Sequence, residues 1–242
     1  MVASKHRDAF TLVELLVVIG VVALLISILL PALAGARVET KRQKSLTNIR
    51  TLATVVQAYC EANKEWYPRP EEHRWYETVD GRVFQTPFWQ GHSTWVGVTA
   101  AYMPQEGYRQ LVHCPDSLSA DDKSFPYTSY LYSWSFLSRP EVWRDDPDVS
   151  AFTAGTRLSD VLFPSQKGIL WDADAGYLRR NRSFIGADLA VSVPVCFVDG
   201  SARCLRPSDA TAPVVNVYAP SQHPLHFRRI LCTRDGVRGI DY

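Results

Sequence analysis

The sequence has no surplus of charge of either sign: 26 Lys and Arg stand against 25 Asp and Glu, a formal net charge of +1. Without a basic field there is nothing to hold a polyphosphate, which removes nucleic acid from the expected partners. Cysteine is scarce. Cys60, Cys114, Cys196, Cys204 and Cys232 are too scattered for a small disulfide scaffold and form no C-x-x-C pair, so one bridge is the most expected. There is no G-x-S-x-G elbow, no P-loop and no dinucleotide fingerprint. The six histidines are dispersed; only His223 and His226 lie close together, without a third ligand or an H-E-x-x-H context, and they read as loop residues. No internal repeat is visible. Nothing in this inventory calls for an enzyme or a cofactor. What is present is apolar: 46% hydrophobic and 12% aromatic against 21% charged, the balance of a packed globule. A chain of 242 residues accommodates a membrane or targeting element plus one domain with its own core.

Charge is missing altogether from residues 15–30, in the middle of the run FTLVELLVVIGVVALLISILLPALAGA at residues 10–36. At about 1.5 Å rise per residue this run spans a hydrocarbon core of roughly 30 Å. Lys5, His6 and Arg7 precede it, which by the positive-inside tendency keeps the start of the chain in the cytoplasm and sends the rest outward as a single-pass inner-membrane protein. One residue does not suit an ordinary anchor. Glu14 lies inside the run, where a carboxylate costs several kcal/mol unless something pairs with it. If the peptide bond between Ala9 and Phe10 is cut, the new α-amine of Phe10 neutralises such a carboxylate on a neighbouring subunit, and charge pairing in lipid sets the stagger between stacked helices.

The stretch HRDAFTLVE at residues 6–14 resembles the class III signal of type IV pilins and type II secretion pseudopilins: a short basic leader, a small residue, then Phe-Thr-Leu-Val-Glu and an apolar helix. The departure is Ala9, where Gly is usual. The resemblance implies a leader at residues 1–9 removed by a prepilin peptidase, which also methylates Phe10. It further implies that Glu14 is the assembly acid, Pro31 the helix-kinking proline, and other pilin or pseudopilin subunits the partners of the helix. Two other readings stay open. Ala32, Leu33 and Ala34 form an A-x-A site, so a secretory signal peptide would leave a terminus at Gly35. A plain signal anchor would tether an extracytoplasmic enzyme or binding protein, and it accounts for everything except Glu14.

Residues 37–64 contain neither Pro nor Gly, and Leu46, Ile49, Leu52, Ala53, Val56, Tyr59 and Cys60 recur at helical spacing. They predict an amphipathic continuation of the stem, so that the transmembrane part at 10–36 and this part form a helix of about 50 residues, roughly 75 Å long. Its basic cluster Arg37, Lys41, Arg42 and Lys44 reads as a solvated face. After Lys64 the composition turns to Trp, Tyr, Pro and Gly, and residues 65–242 predict an extracytoplasmic domain built on an irregular antiparallel sheet, an α+β fold. Alternation over residues 127–136 predicts a half-buried strand with Ser129, Ser133 and Ser135 facing water. Further strands are expected at 94–99, 168–171, 193–198, 202–205, 214–218 and 227–231.

Asp199 and Gly200 between two of these strands are a hairpin signal, because both tolerate positive φ. In a two-residue turn Val198 faces Ser201 and Cys196 faces Arg203, which puts Cys204 one place beyond pairing with Cys196. This hairpin and His113-Cys114-Pro115 resemble the prepilin-type group with a carboxy-terminal H-x9-DG element, although Leu189 stands where that histidine would be. Some pseudopilins bind calcium in carboxy-terminal loops. Asp172 and Asp174, or Asp145, Asp146 and Asp148, offer carboxylate oxygens of the kind calcium takes, but neither stretch has the EF-hand pattern and both read as solvated loop acids.

Overall fold

The structure, a computed structural model, describes residues 12–71, 73–85, 90–117, 128–148, 150, 154–178, 191–216 and 229–242. It divides into two compact units, Met1–Thr40 and Lys41–Tyr242.

The described part of the first unit is helix. Helix α1 (Leu12–Ala62) begins here, and its residues from Lys41 on belong to the second unit. Leu12, Leu16, Ile19, Leu24, Ile28, Leu30 and their aliphatic neighbours all stand exposed, Leu12 by 82%. Such a surface is stable only where water is absent, in lipid or against other apolar helices. Ser27, the polar residue in its middle, satisfies itself by donating to the Leu24 carbonyl at 2.7 Å. Pro31 sits inside the helix and has no N–H for the carbonyl one turn back.

In the second unit α1 becomes a docking element. Leu46, Ile49, Leu52, Val55, Val56 and Cys60 are buried at the i, i+3, i+4 spacing, each aliphatic side chain contributing roughly 1.5–3 kcal/mol of transfer free energy. The helix stops at Ala62, where Asn63 Nδ2 donates to the Tyr59 carbonyl at 2.8 Å and Lys64 and Glu65 take positive φ. It packs on a four-stranded antiparallel sheet of β3 (Tyr130–Tyr132), β4 (Gly168–Asp172), β5 (Val193–Phe197) and β6 (Ala202–Leu205), paired in that order. A separate hairpin joins β1 (Trp75–Glu77) and β2 (Val83–Gln85). The fold is therefore α+β, a long amino-terminal helix packed on antiparallel strands.

Three sequence expectations are corrected. Residues 94–99 are not a strand: they lie largely within helix α2 (Gly91–Val98), which buries Trp95 and directs its Nε1 to the Tyr130 carbonyl at 3.0 Å. The β-branched residues suggested a strand, but tertiary packing of the indole decides. The run at 127–136 forms a strand only at Tyr130–Tyr132; its residue 127 lies outside the described residues, and Trp134–Phe136 is a 3₁₀ turn. Ser129, Ser133 and Ser135 are buried, not wet, because their hydroxyls find internal partners such as the Ile230 carbonyl, 2.7 Å from Ser133 Oγ. Residues 214–216 and 229–231 form no strand; beside them the chain is joined by a bridge between Pro213 and Thr233 and by the Val214 N–H to the Cys232 carbonyl at 2.9 Å. The rest of those two predicted strands lies outside the described residues.

The β5–β6 turn is where Asp199 and Gly200 were expected, but it has three residues. Phe197 N–H donates to the Ser201 carbonyl at 2.8 Å and Gly200 N–H to the Phe197 carbonyl at 3.0 Å, with Gly200 at φ +81°. The extra loop residue shifts the register, so Cys196 faces Ala202 and Cys204 faces Pro194. No disulfide joins any of the five cysteines.

Candidate functional site

Of the predicted processing and assembly residues, Glu14 and Pro31 lie on α1. Ala9 and Phe10 lie outside the described residues. Glu14 occupies the first turn of α1, where a carboxylate is favoured by the helix dipole, and it is the one charged residue between Leu12 and Ala36. A span whose 18-residue window has a mean hydropathy of 3.0, with none of it buried, is long and apolar enough to cross a membrane. The amino-terminal segment is thus an exposed apolar helix marked by a single acid at its start.

The second site is one that sequence reading missed. On the face of α1 that meets the sheet, two polar residues sit among the aliphatic ones. Ser45 Oγ donates to Asp172 Oδ2 at 2.6 Å and lies 3.1 Å from the Tyr130 hydroxyl. Asn48 Nδ2 donates to the Gln110 carbonyl at 2.6 Å, tying α1 to the end of α3 (Tyr108–Val112). Asp172 closes strand β4 and is fully buried, which corrects its reading as a solvated loop acid. Its other oxygen accepts the Ala175 N–H at 2.7 Å and the Asp174 N–H at 3.2 Å, while the Tyr177 hydroxyl reaches Oδ2 at 3.4 Å. Burial pushes the Asp172 carboxyl up to about 6, and the donors from Ser45, Ala175, Cys114 and Tyr177 keep it from rising further.

Asp174 is 2% exposed. Its Oδ2 accepts the Ser117 hydroxyl at 2.5 Å and the Ser129 hydroxyl at 3.4 Å. The adjacent His113 is buried, and burial drives its imidazole down to about 4, so it is neutral at physiological pH. Of the two acids raised as calcium candidates, Asp172 accepts hydrogen bonds on both oxygens and Asp174 on Oδ2, and no group of three or more metal-ligating side chains occurs among the described residues. The other acidic stretch is exposed: Asp145 holds Arg234 at 2.6 Å and Asp148 accepts the Ser150 hydroxyl at 2.6 Å. His223 and His226 lie outside the described residues, as does Leu189. Asp199 Oδ1 accepts the Ser201 N–H and hydroxyl at 2.9 and 2.6 Å, which makes it a turn residue.

A further buried ion pair was also invisible in the sequence. Lys167, immediately before β4, is fully buried and reaches Asp241 Oδ2 at 3.1 Å; Thr233 lies between them, bonded to both. Burial lowers the Lys167 pKa and Asp241 partly offsets the effect. Asp241 also accepts the Gly168 N–H at 2.8 Å, so this pair clasps the segment around Asp241 to the sheet. Neither network carries a local signal, because its partners come from segments far apart in the chain.

An exposed apolar helix with a glutamate in its first turn, followed by an α+β unit, is consistent with a membrane-anchored chain. Residues 4–30 match the family described as the prokaryotic N-terminal methylation motif, and the chain carries the amino-terminal signal of a type IV pilin-like or pseudopilin precursor. The motif implies processing by a prepilin peptidase and assembly with other pilin subunits. Comparison with curated proteins and with solved structures gave no match.

Proposed function

We propose that this chain is a non-catalytic subunit of a type IV pilus-like filament or type II secretion pseudopilus. It enters the inner membrane with its amino terminus in the cytoplasm, is cleaved between Ala9 and Phe10, methylated on Phe10, and packed into the filament through α1. The observation that carries this reading is the methylation motif at residues 4–30 coinciding with an apolar helical stretch, residues 12–36, whose single charge is Glu14. A membrane span used only as a tether gains nothing from a carboxylate near its end, whereas a subunit interface gains a charge pair in a medium of low dielectric. The outward domain supports the non-catalytic reading through its polar chemistry, because Ser45, Asp172, Ser117 and Asp174 are engaged with one another or with backbone in holding α1 and the 113–117 segment to the sheet.

Mass spectrometry of the mature amino terminus tests the proposal. A methylated Phe10 is the expected result. An intact Met1 supports a plain anchor, and a terminus at Gly35 means signal-peptidase cleavage; either outcome overturns the filament reading.

A further inference from the structure

We infer that the second unit carries a binding site for an acidic sugar, a ligand that presents a carboxylate beside several hydroxyls. The site is a cleft of about 370 Å³ lined by Arg139, Glu141, Arg157, Asp160 and Arg238 together with Trp66. Its volume falls at the lower end of the roughly 300–1,000 Å³ of small-molecule sites. All of these residues belong to the second unit, so the inference does not depend on the membrane reading. Backbone contacts hold the frame. Trp66 and Arg157 form an antiparallel bridge, the Leu158 N–H donates to the Glu65 carbonyl at 2.9 Å, and the Arg139 N–H donates to the Ala154 carbonyl at 3.1 Å. The segment that ends at Arg238 closes on the others at Gly236, where a Cβ would stand 3.2 Å from Pro140 Cα.

The lining sets three guanidinium groups against two carboxylates, and one of the three takes both acids. Arg238 reaches Glu141 Oε1 at 3.5 Å and Asp160 Oδ1 at 4.0 Å. Arg139 and Arg157 are exposed, and their guanidinium groups have no acidic partner among the described residues. That of Arg157 lies over the Trp66 ring, 4.4 Å from its centroid. Stacking holds the planar fork in place before a ligand arrives, and such a fork suits a carboxylate bound through two parallel N–H···O bonds. The acids then select among anions. Asp160 Oδ2 accepts the Arg157 N–H at 2.8 Å, whereas Glu141 engages Arg238 through Oε1 alone and its side chain is 33% exposed. An ionised carboxylate only accepts, so Glu141 calls for a donor, which a sugar hydroxyl supplies. A fully ionised phosphate or sulfate has no donor and meets both acids with like charge. A carboxylate and hydroxyls on one ligand answer the arginines and Glu141 together.

The test is isothermal titration calorimetry of the detergent-solubilised full chain with tri-galacturonate, neutral galactotriose, tri-glutamate and inorganic phosphate at constant ionic strength. Tri-galacturonate is expected to bind about tenfold more tightly than each of the other three, the worth of one charge-assisted hydrogen bond. Arg157→Gln and Arg139→Gln are each expected to weaken it by about tenfold or more. Arg203→Gln removes a guanidinium stacked on Phe197 at 4.6 Å, outside the cleft, and is expected to leave the affinity unchanged. Glu141→Gln is expected to narrow the gap between tri-galacturonate and tri-glutamate. The absence of saturable tri-galacturonate binding overturns the inference. Equal binding of phosphate makes the cleft a simple anion site, equal binding of tri-glutamate makes it a site for acidic peptide, and equal binding of galactotriose leaves the arginines without a role; each overturns the assignment. An equal loss in Arg203→Gln would mean diffuse surface charge and overturns it too. Near-ultraviolet circular dichroism checks that each variant folds, and the two exposed arginines, Arg139 and Arg157, test the cleft independently.

Discussion

Ser45 and Asp172, 127 residues apart in sequence, meet at 2.6 Å in the buried seam between α1 and the sheet. The contact joins the stem to the end of β4 through a carboxyl group that is out of reach of water. Removing the hydroxyl leaves that carboxyl one donor short. Ser45→Ala is expected to destabilise the second unit by about 1–3 kcal/mol, measured by denaturant unfolding of the detergent-solubilised chain with near-ultraviolet circular dichroism as the readout. An unchanged midpoint would show that the hydrogen bond is not needed to hold the stem.

Asp172 and His113 titrate in opposite senses. The Asp172 carboxyl is raised from 3.8 to about 6 by burial, so its contribution is fully present below pH 3.8 and is lost as pH rises through 6. The His113 imidazole is lowered from 6.5 to about 4 by burial, so its contribution is present above pH 6.5 and is lost as pH falls through 4. Each is of order 3 kcal/mol, and between pH 4 and 6.5 they largely cancel. Thermal unfolding should therefore be nearly flat with pH in the wild type, fall toward acid in Asp172→Asn, and rise toward acid in His113→Gln. Parallel profiles in all three would refute the opposition.

The Lys167 and Asp241 pair is 0% and 1% exposed, and half of such a pair is worse than none. Asp241→Ala is expected to cost about 3–5 kcal/mol because it strands the Lys167 ammonium, while the double change Lys167→Met with Asp241→Leu costs much less. Chemical denaturation of the wild type, Asp241→Ala and the double change makes the comparison; a double change that loses as much as Asp241→Ala or more would show that the stranded charge is not what costs stability.

Glu14→Ala is expected to leave insertion intact, since removing a charge from the span lowers its transfer cost, and to reduce incorporation into filaments. Sheared-filament fractions probed for the chain provide the readout. Undiminished incorporation would remove the assembly role from this carboxylate.

Much of the scaffold was legible along the chain because periodicity and turn chemistry are local. The aliphatic stripe on α1 and the strands β4, β5 and β6 lie where apolar spacing put them. The β1–β2 hairpin was overlooked although its signal is present. Residues 79–81 read Val-Asp-Gly, the same tripeptide as residues 198–200, and both build one turn: Thr78 N–H to the Arg82 carbonyl at 2.9 Å with Gly81 at φ +78°, matching Phe197 and Ser201 with Gly200 at +81°. In contrast, nothing local distinguishes Ser45 or Asn48 from the solvated residues of a helix, or Asp172 from a loop acid.

By itself the sequence determined the apolar run with Glu14 at its head, the processing motif around it and the α+β class, since each depends on residues close together in the chain. Only the tertiary structure decided that α2 is a helix, that the turn at Asp199 holds three residues, and that Asp172, Asp174, Lys167 and Asp241 are buried. The physical reason is that a polar side chain can enter a core only when a partner waits there, and these partners come from segments that local spacing cannot relate.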